Sequence, residues 1–225
     1  MQFSKIQLFN KEQMKFHVDQ DIKKAETLPA SFYKDPLVFE ALKERVFLNS
    51  WQWIGDENLV PFAQSVHPFV LLDGYLTEPL VLTKNKREEI NCLTNVCTHR
   101  GNLVALNSGK SRKLTCFYHG RRFNLNGDFE HMPEFEQTED FPRPCDSLHK
   151  FPLKKWGSFL FAGLNPSFDF QEVIDIMNDR VGFLPFDEFT LDESLSKEYL
   201  VHANWALYCD NYLEGFHVPF VHPDL

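Results

Sequence analysis

Basic clusters are missing from this sequence: 23 Lys and Arg stand against 32 Asp and Glu, a formal net charge of -9. No stretch gathers the cations that neutralising a phosphate backbone requires, so nucleic acid is not an expected partner. Long apolar runs are missing too. Nothing approaches the roughly 18 consecutive apolar residues of a membrane-spanning helix, and no membrane is expected. The opening MQFSKIQLFNKEQMKF scatters charges among its apolar residues and has no apolar core, unlike a secretion signal. Cysteine is scarce and odd in number, five at positions 92, 97, 116, 145 and 209, which argues against a disulfide framework. Reduced thiols without a signal segment point to the cytoplasm. Low-complexity tracts are absent, and so are internal repeats, apart from one short recurrence taken up below.

What is present is an ordinary globular composition enriched in Phe, and 225 residues suffice for one large domain or two small ones. Leu37, Phe39, Leu42, Val46 and Phe47 recur at helical spacing after Asp35-Pro36, a helix-start signal. WQWIG then turns strand-like. To about residue 165 the chain alternates short apolar runs with turn residues: PFVLLDG, EPLVLTKNKREEINCLTNVC, RRFNLNGDFEHM and FPLKKWGSFLFAGL. Asn126-Gly127 between two such runs is a hairpin signal. This block reads as a small antiparallel β domain. Beyond it, FQEVIDIMNDRV spaces Phe170, Val173, Ile174 and Met177 as a short amphipathic helix. SLSKEYLVHAN reads as a strand and WALYCDNYLEGFHVPF as a helix interrupted at Gly215 and Pro219. Boundaries are thus expected at 1–48, 49–165 and 166–225. The last piece is too small to bury a good core alone, so an incomplete chain is expected.

The recurrence is CTHRG at 97–101 and CFYHG at 116–120. As spacing it is Cys97-x-His99, sixteen residues, then Cys116-x-x-His119. Two thiolates and two imidazoles can make a tetrahedral zinc site or hold a [2Fe-2S] cluster with Cys on one iron and His on the other. Zinc fingers usually pair like with like, whereas here each loop carries one ligand of each kind. The split suits a cluster, because each loop tip then reaches both irons. Gly101 and Gly120 allow a tight turn that brings backbone N–H groups toward the sulfides.

On these loops the region resembles a Rieske iron–sulfur domain. The resemblance implies a [2Fe-2S] cluster with Cys97, His99, Cys116 and His119 as ligands. Respiratory Rieske proteins carry extra cysteines in both loops and a serine after the second His-Gly; Asn102, Tyr118 and Arg121 stand at those places here. The resemblance is therefore to the oxygenase and ferredoxin branch, and fewer hydrogen bonds to the sulfides imply a lower reduction potential. That branch usually reads CPYHGW in the second loop, where this sequence has Phe117 and Arg121.

A second constellation is Glu214-x-x-His217-x4-His222. Positions five apart on a regular helix differ by about 140°, so the two histidines converge only if the helix breaks between them, and Pro219 is placed to break it. Two His with one carboxylate form the facial triad of non-haem Fe(II) oxygenases. Together with Asn204-Trp205 and Asp210-Asn211-Tyr212, the run resembles the catalytic-domain signature of Rieske non-haem iron oxygenase large subunits. The flavour is similar to the choline monooxygenase and betaine-demethylating branch.

The resemblance implies an α+β chain: an antiparallel β Rieske domain, then the start of an α+β, helix-grip-like catalytic domain that is truncated. It implies mononuclear Fe(II) at His217 and His222, with a third, carboxylate ligand beyond residue 225. Glu214 matches the inter-subunit electron-transfer bridge, and Asp210 is the runner-up. It implies an NAD(P)H-dependent reductase or ferredoxin as donor, O2 and a small organic substrate to be hydroxylated or demethylated, and a homotrimer or a multiple of it. The alternative is a Rieske ferredoxin that only carries electrons, which predicts a chain ending soon after residue 165 and no second iron site.

Overall fold

The structure is a computed structural model and describes residues 16–192, 194–222 and 224. Residues 1–15 of the expected entry segment lie outside the described residues. The described helices are α1 (Ala30–Lys34), α2 (Pro36–Arg45), α3 (Phe170–Val181), α4 (Trp205–Leu213) and α5 (Val218–Val221). The strands are β1 (Gln52–Asp56), β2 (Ser65–Leu71), β3 (Glu78–Lys84), β4 (Ile90–Thr94), β5 (Gly109–Lys110), β6 (Leu114–Thr115), β7 (Arg122–Phe123), β8 (Phe129–His131), β9 (Lys150–Phe151), β10 (Leu153–Trp156) and β11 (Phe159–Ala162). The chain divides into two compact units. Lys43–Leu191 form one; the described residues up to Leu42 and from Asp192 onward form the other.

In the 43–191 unit every strand pairing is antiparallel, in three sheets ordered β1-β11-β10, β5-β2-β3-β4-β9 and β6-β7-β8. Strand β3 shows why the five-stranded sheet is central. Successive side chains alternate between faces, so Leu80 and Leu82 join one core with Val60, Leu71, Cys92, Leu160 and Ala162. Val81 joins the other, with Val66, Leu93, Val104, Leu114, Phe123 and the thiols Cys97 and Cys116. Leu80, Val81 and Leu82 are fully buried, each side chain contributing roughly 1.5–3 kcal/mol relative to exposure. A strand covered on both faces reads as a continuous apolar run, which is what PLVL is.

The Asn126-Gly127 hairpin is present: Gly127 has φ 91° and donates to the Asn124 carbonyl, while Asn124 and Asp128 close the turn between β7 and β8. Helix α3 starts as its sequence indicates, with the Asp169 carboxylate accepting from the Gln171 N–H at its N-cap. It belongs to the 43–191 unit, where Phe170 packs on Phe161 and Trp51, and Asn178 accepts from the Trp156 indole.

In the other unit, Asn204 caps α4 through the Ala206 N–H and donates its amide to the Tyr33 carbonyl. Two expectations are corrected here. The segment 194–204 forms no strand; no described strand pairs with it, and Tyr199 and Leu200 are about four-fifths exposed. The helix break falls at Glu214-Gly215, before His217, and Pro219 lies inside α5, in its first turn. Proline is tolerated there because that N–H has no intrahelical acceptor. No described helix is long and apolar enough to cross a membrane.

Candidate metal centres

The two Cys-His loops are built on one template. The Val96–Leu103 bridge closes a six-residue tip, CTHRGN, and the Thr115–Arg122 pair closes another, CFYHGR. In each, the first residue is the cysteine and the fifth is a glycine. The Cys97 N–H donates to the Asn102 carbonyl and the Cys116 N–H to the Arg121 carbonyl, both at 2.8 Å. The Gly101 N–H returns to the Cys97 carbonyl at 3.0 Å, and the Gly120 N–H to the Cys116 carbonyl at 2.9 Å. The glycine φ values are 74° and 71°, the left-handed region where a side chain is strained. The tips differ in where the histidine falls, third in one and fourth in the other.

This template sends thiols and imidazoles opposite ways. Cys97 and Cys116 sit in the apolar core, 3% and 2% exposed, whereas His99 is half-buried and His119 exposed. The two rings meet edge to face at 4.8 Å between centroids. Burial pushes the Cys97 thiol up. Cys116 is held below its ordinary value: burial opposes this, but the Tyr118 and His119 backbone N–H groups, the Cys97 thiol and the Asn102 amide, 3.8 Å from Sγ, favour its thiolate. Burial first, then the nearby charges of His119, Arg100 and Arg121, lower His99, which favours the neutral imidazole, the form that binds metal.

All four sequence-derived cluster ligands are thus brought together. The donor set fits a binuclear centre: two buried thiols can share an inner iron while two outward imidazoles share an outer one. Among the described residues no three His, Cys, Asp or Glu side chains surround a single point. A [2Fe-2S] cluster does not require that, since each iron takes two protein ligands. The other three cysteines are free: Cys145 and Cys209 are exposed, and burial raises Cys92 to about 12.

Several supports were not legible in the sequence. The buried Asn95 side chain bonds Ala105 in both directions, its Oδ1 accepting from the N–H and its Nδ2 donating to the carbonyl. This pins the return of the first loop. The short 3-10 segment Pro144–Asp146 touches both loops: the Thr98 hydroxyl donates to the Asp146 carbonyl at 2.8 Å, and Arg121 donates to the Asp146 carboxylate at 2.6 Å. No local signal links positions 98, 121 and 146. Locally, the Asp146 carboxylate accepts from the Arg143 backbone N–H at 2.8 Å, an ordinary turn contact that does not point to either loop.

In the other unit, the Glu214 Oε1 hydrogen-bonds the His217 Nδ1, and its Oε2 accepts from the Phe216 and His217 backbone N–H groups. That arrangement leaves the His217 Nε2 free. The contact with His217 is also what chiefly holds the Glu214 carboxyl below its usual range. His217 caps the start of α5 and His222 its end, so one helical turn separates them and their rings stand 5.5 Å apart. Convergence comes from this single turn ending at His222, not from a break at Pro219. Asp210 is not drawn into the group in the way Glu214 is. It lies on α4, and its carboxylate accepts from the Tyr33 hydroxyl at 2.5 Å, a bond that raises the Tyr33 pKa.

Comparison with known proteins is consistent with this geometry. Residues 50–150 match the Rieske [2Fe-2S] domain family. The chain is 30% identical to chloroplastic choline monooxygenase of Atriplex hortensis over 87% of its own length and 45% of the relative's. It is 28% identical to the carnitine monooxygenase oxygenase subunit of Escherichia coli K12, over 88% and 52%. A solved quaternary ammonium Rieske monooxygenase, described for carnitine oxidation by gut microbiota and inter-subunit electron transfer, superposes with a TM-score of 0.70 at 25% identity, covering 88% of this chain and 54% of that one. The chain spans about half the length of the curated relatives it matches.

Proposed function

Residues 50–150 are a Rieske [2Fe-2S] domain in a chain homologous to the oxygenase subunits of choline and carnitine monooxygenases, and from that premise we propose that it belongs to the oxygenase component of a Rieske non-haem iron monooxygenase. The observation that carries the reading is the pair of six-residue tips that bury two thiols and turn two imidazoles outward, 4.8 Å apart. In this reading Cys97 and Cys116 hold one iron and His99 and His119 the other, and the cluster supplies one-electron storage. His217 and His222 hold a mononuclear Fe(II), which supplies dioxygen activation.

The chain's own residues have separate tasks. The apolar wall behind the thiols excludes water from the sulfur side. Glu214 would fix the His217 tautomer, with a proton at Nδ1 and the Nε2 lone pair left available to a metal. The same carboxylate is proposed as the bridge to a cluster histidine of a neighbouring subunit, in a homotrimer or a multiple of it. The reaction balances as substrate C–H plus O2, two electrons and two protons to C–OH and water, the electrons coming from NAD(P)H through a reductase or ferredoxin. Demethylation follows when the hydroxylated carbon is an N-methyl, which is lost as formaldehyde. The relatives' names favour a small cationic amine, of the choline or carnitine type, as substrate. The free thiols fit a reducing compartment, and the cytoplasm is proposed, although the plant relatives are chloroplastic by name.

Anaerobic purification of the complete polypeptide, with iron and sulfide analysis and EPR, tests this. Three irons and two sulfides per chain with a Rieske signal are expected. Two irons with that signal would favour a pure electron carrier, and a colourless zinc protein would overturn the reading.

A further inference from the structure

Arg121, one residue past Gly120, is a charged side chain only 3% exposed. Its guanidinium bonds the Asp146 carboxylate at 2.6 Å, and its carbon Cζ lies 5.1, 5.4 and 6.0 Å from the ring centroids of Phe129, Phe141 and Phe123. Its Nε has no hydrogen-bond partner. The aromatic cage continues to the cluster site, since Phe141 packs on Phe135 at 5.1 Å and Phe135 on the His99 ring at 6.1 Å. The backbone carbonyl of Arg121 accepts the Cys116 N–H, and the Asp146 carbonyl accepts the Thr98 hydroxyl. One buried ion pair therefore holds both ligand loops.

We propose that Arg121 and Asp146 form a positioning pair that sets the reduction potential of the cluster by balancing opposite charges behind its two loops. The inference rests on the Rieske reading. Burial costs an ion several kcal/mol, and a well-packed tryptophan or apolar pair would hold the loops without that cost. What an ion pair adds is field. In a low-dielectric surround a cation stabilises an added electron and an anion opposes it. Arginine cannot lose its charge by deprotonation, so its contribution is permanent. Removing Asp146 leaves Arg121 without its anion, and removing Arg121 leaves Asp146 only the exposed Arg143, 3.6 Å away, so the two removals act with opposite sign.

The test is redox titration at pH 8, followed by EPR, of the full chain and of Arg121→Gln, Asp146→Asn and the double variant. The potential should fall in Arg121→Gln, rise in Asp146→Asn, and return toward the unaltered value in the double variant. A merely structural role would disturb the cluster in the same sense in both, and shifts of one sign, or none, overturn the proposal. If Arg121→Gln holds no cluster, Asp146→Asn alone decides by its sign. If that fails too, Arg121→Lys decides: it keeps the cation but not the planar fork, so its g-values should change while its potential stays, and a moved potential overturns the proposal. An unaltered chain without Rieske bands sinks both the family-based function and this inference. Rieske bands with no opposed shifts sink only the inference.

Discussion

Glycine at positions 101 and 120 is first of all a conformational requirement. With φ near +74° and +71°, alanine at either costs about 1–2 kcal/mol from backbone strain alone. At 120 the added Cβ would also come within 3.2 Å of Pro133 Cγ, while at 101 it would meet no atom within 4 Å. Gly120→Ala is therefore expected to be the most damaging change, Gly101→Ala intermediate, and Gly101→Asn mildest because Asn tolerates this region. Urea midpoints of the three variants check the order. Asp146 gives a second expectation. Burial would raise its carboxyl, but the Arg143 backbone N–H and the Arg121 guanidinium, with the charges of both arginines, hold it below the ordinary 3.8. A carboxyl depressed in the fold contributes stability above that ordinary value and loses it as pH falls through the lower, folded value. Thermal midpoints should decline as pH falls below about 4, and Asp146→Asn should flatten that decline while lowering stability at neutral pH by about 3–5 kcal/mol.

Among the elements, β3 separates two cores, and substitutions on its two faces should be distinguishable. Leu82→Ala empties the face away from the ligand loops and is expected to cost about 2–5 kcal/mol with an unchanged cluster spectrum. Val81→Ala empties the face shared with Cys97 and Cys116, and should perturb that spectrum as well as stability. Visible absorption beside chemical denaturation tests the contrast. These elements were largely legible in the sequence, because apolar spacing and turn residues report on local chain direction; FQEVIDIMNDRV is helix α3 from end to end. SLSKEYLVHAN was misread for a complementary reason. β-branched and aromatic residues record only a strand's capacity to pair, and no described strand pairs with it. The recurrence of Cys97, His99, Cys116 and His119 was readable from spacing, and the structure does gather them at two neighbouring tips. Arg121 and Asp146 were not readable, since two residues 25 positions apart reveal a shared burial only in three dimensions.

For the whole molecule, the proposed cluster ligands and the Glu214–His217–His222 group fall in different compact units of one chain. The proposed assembly makes a complementation prediction. A Cys116→Ser variant lacks a cluster and a His217→Ala variant lacks the mononuclear iron, so each alone should be inactive. Co-expressed and co-assembled, they should recover part of the turnover, because intact centres can then meet across a subunit boundary. Inactivity of a verified mixed oligomer would rule out transfer between chains. Glu214→Ala should leave cluster reduction by the donor intact and abolish coupled product formation, measured as product per NAD(P)H consumed.

The unequal setting of thiols and imidazoles has one more consequence. Electron tunnelling decays steeply with distance, so in the proposed reading the apolar wall of Val66, Val104, Leu114 and Phe123 would act as insulation, and the outward imidazole edge would be the low-resistance terminal of the cradle. Current would then enter and leave on the His119 face, making the proposed centre one-sided as a conductor.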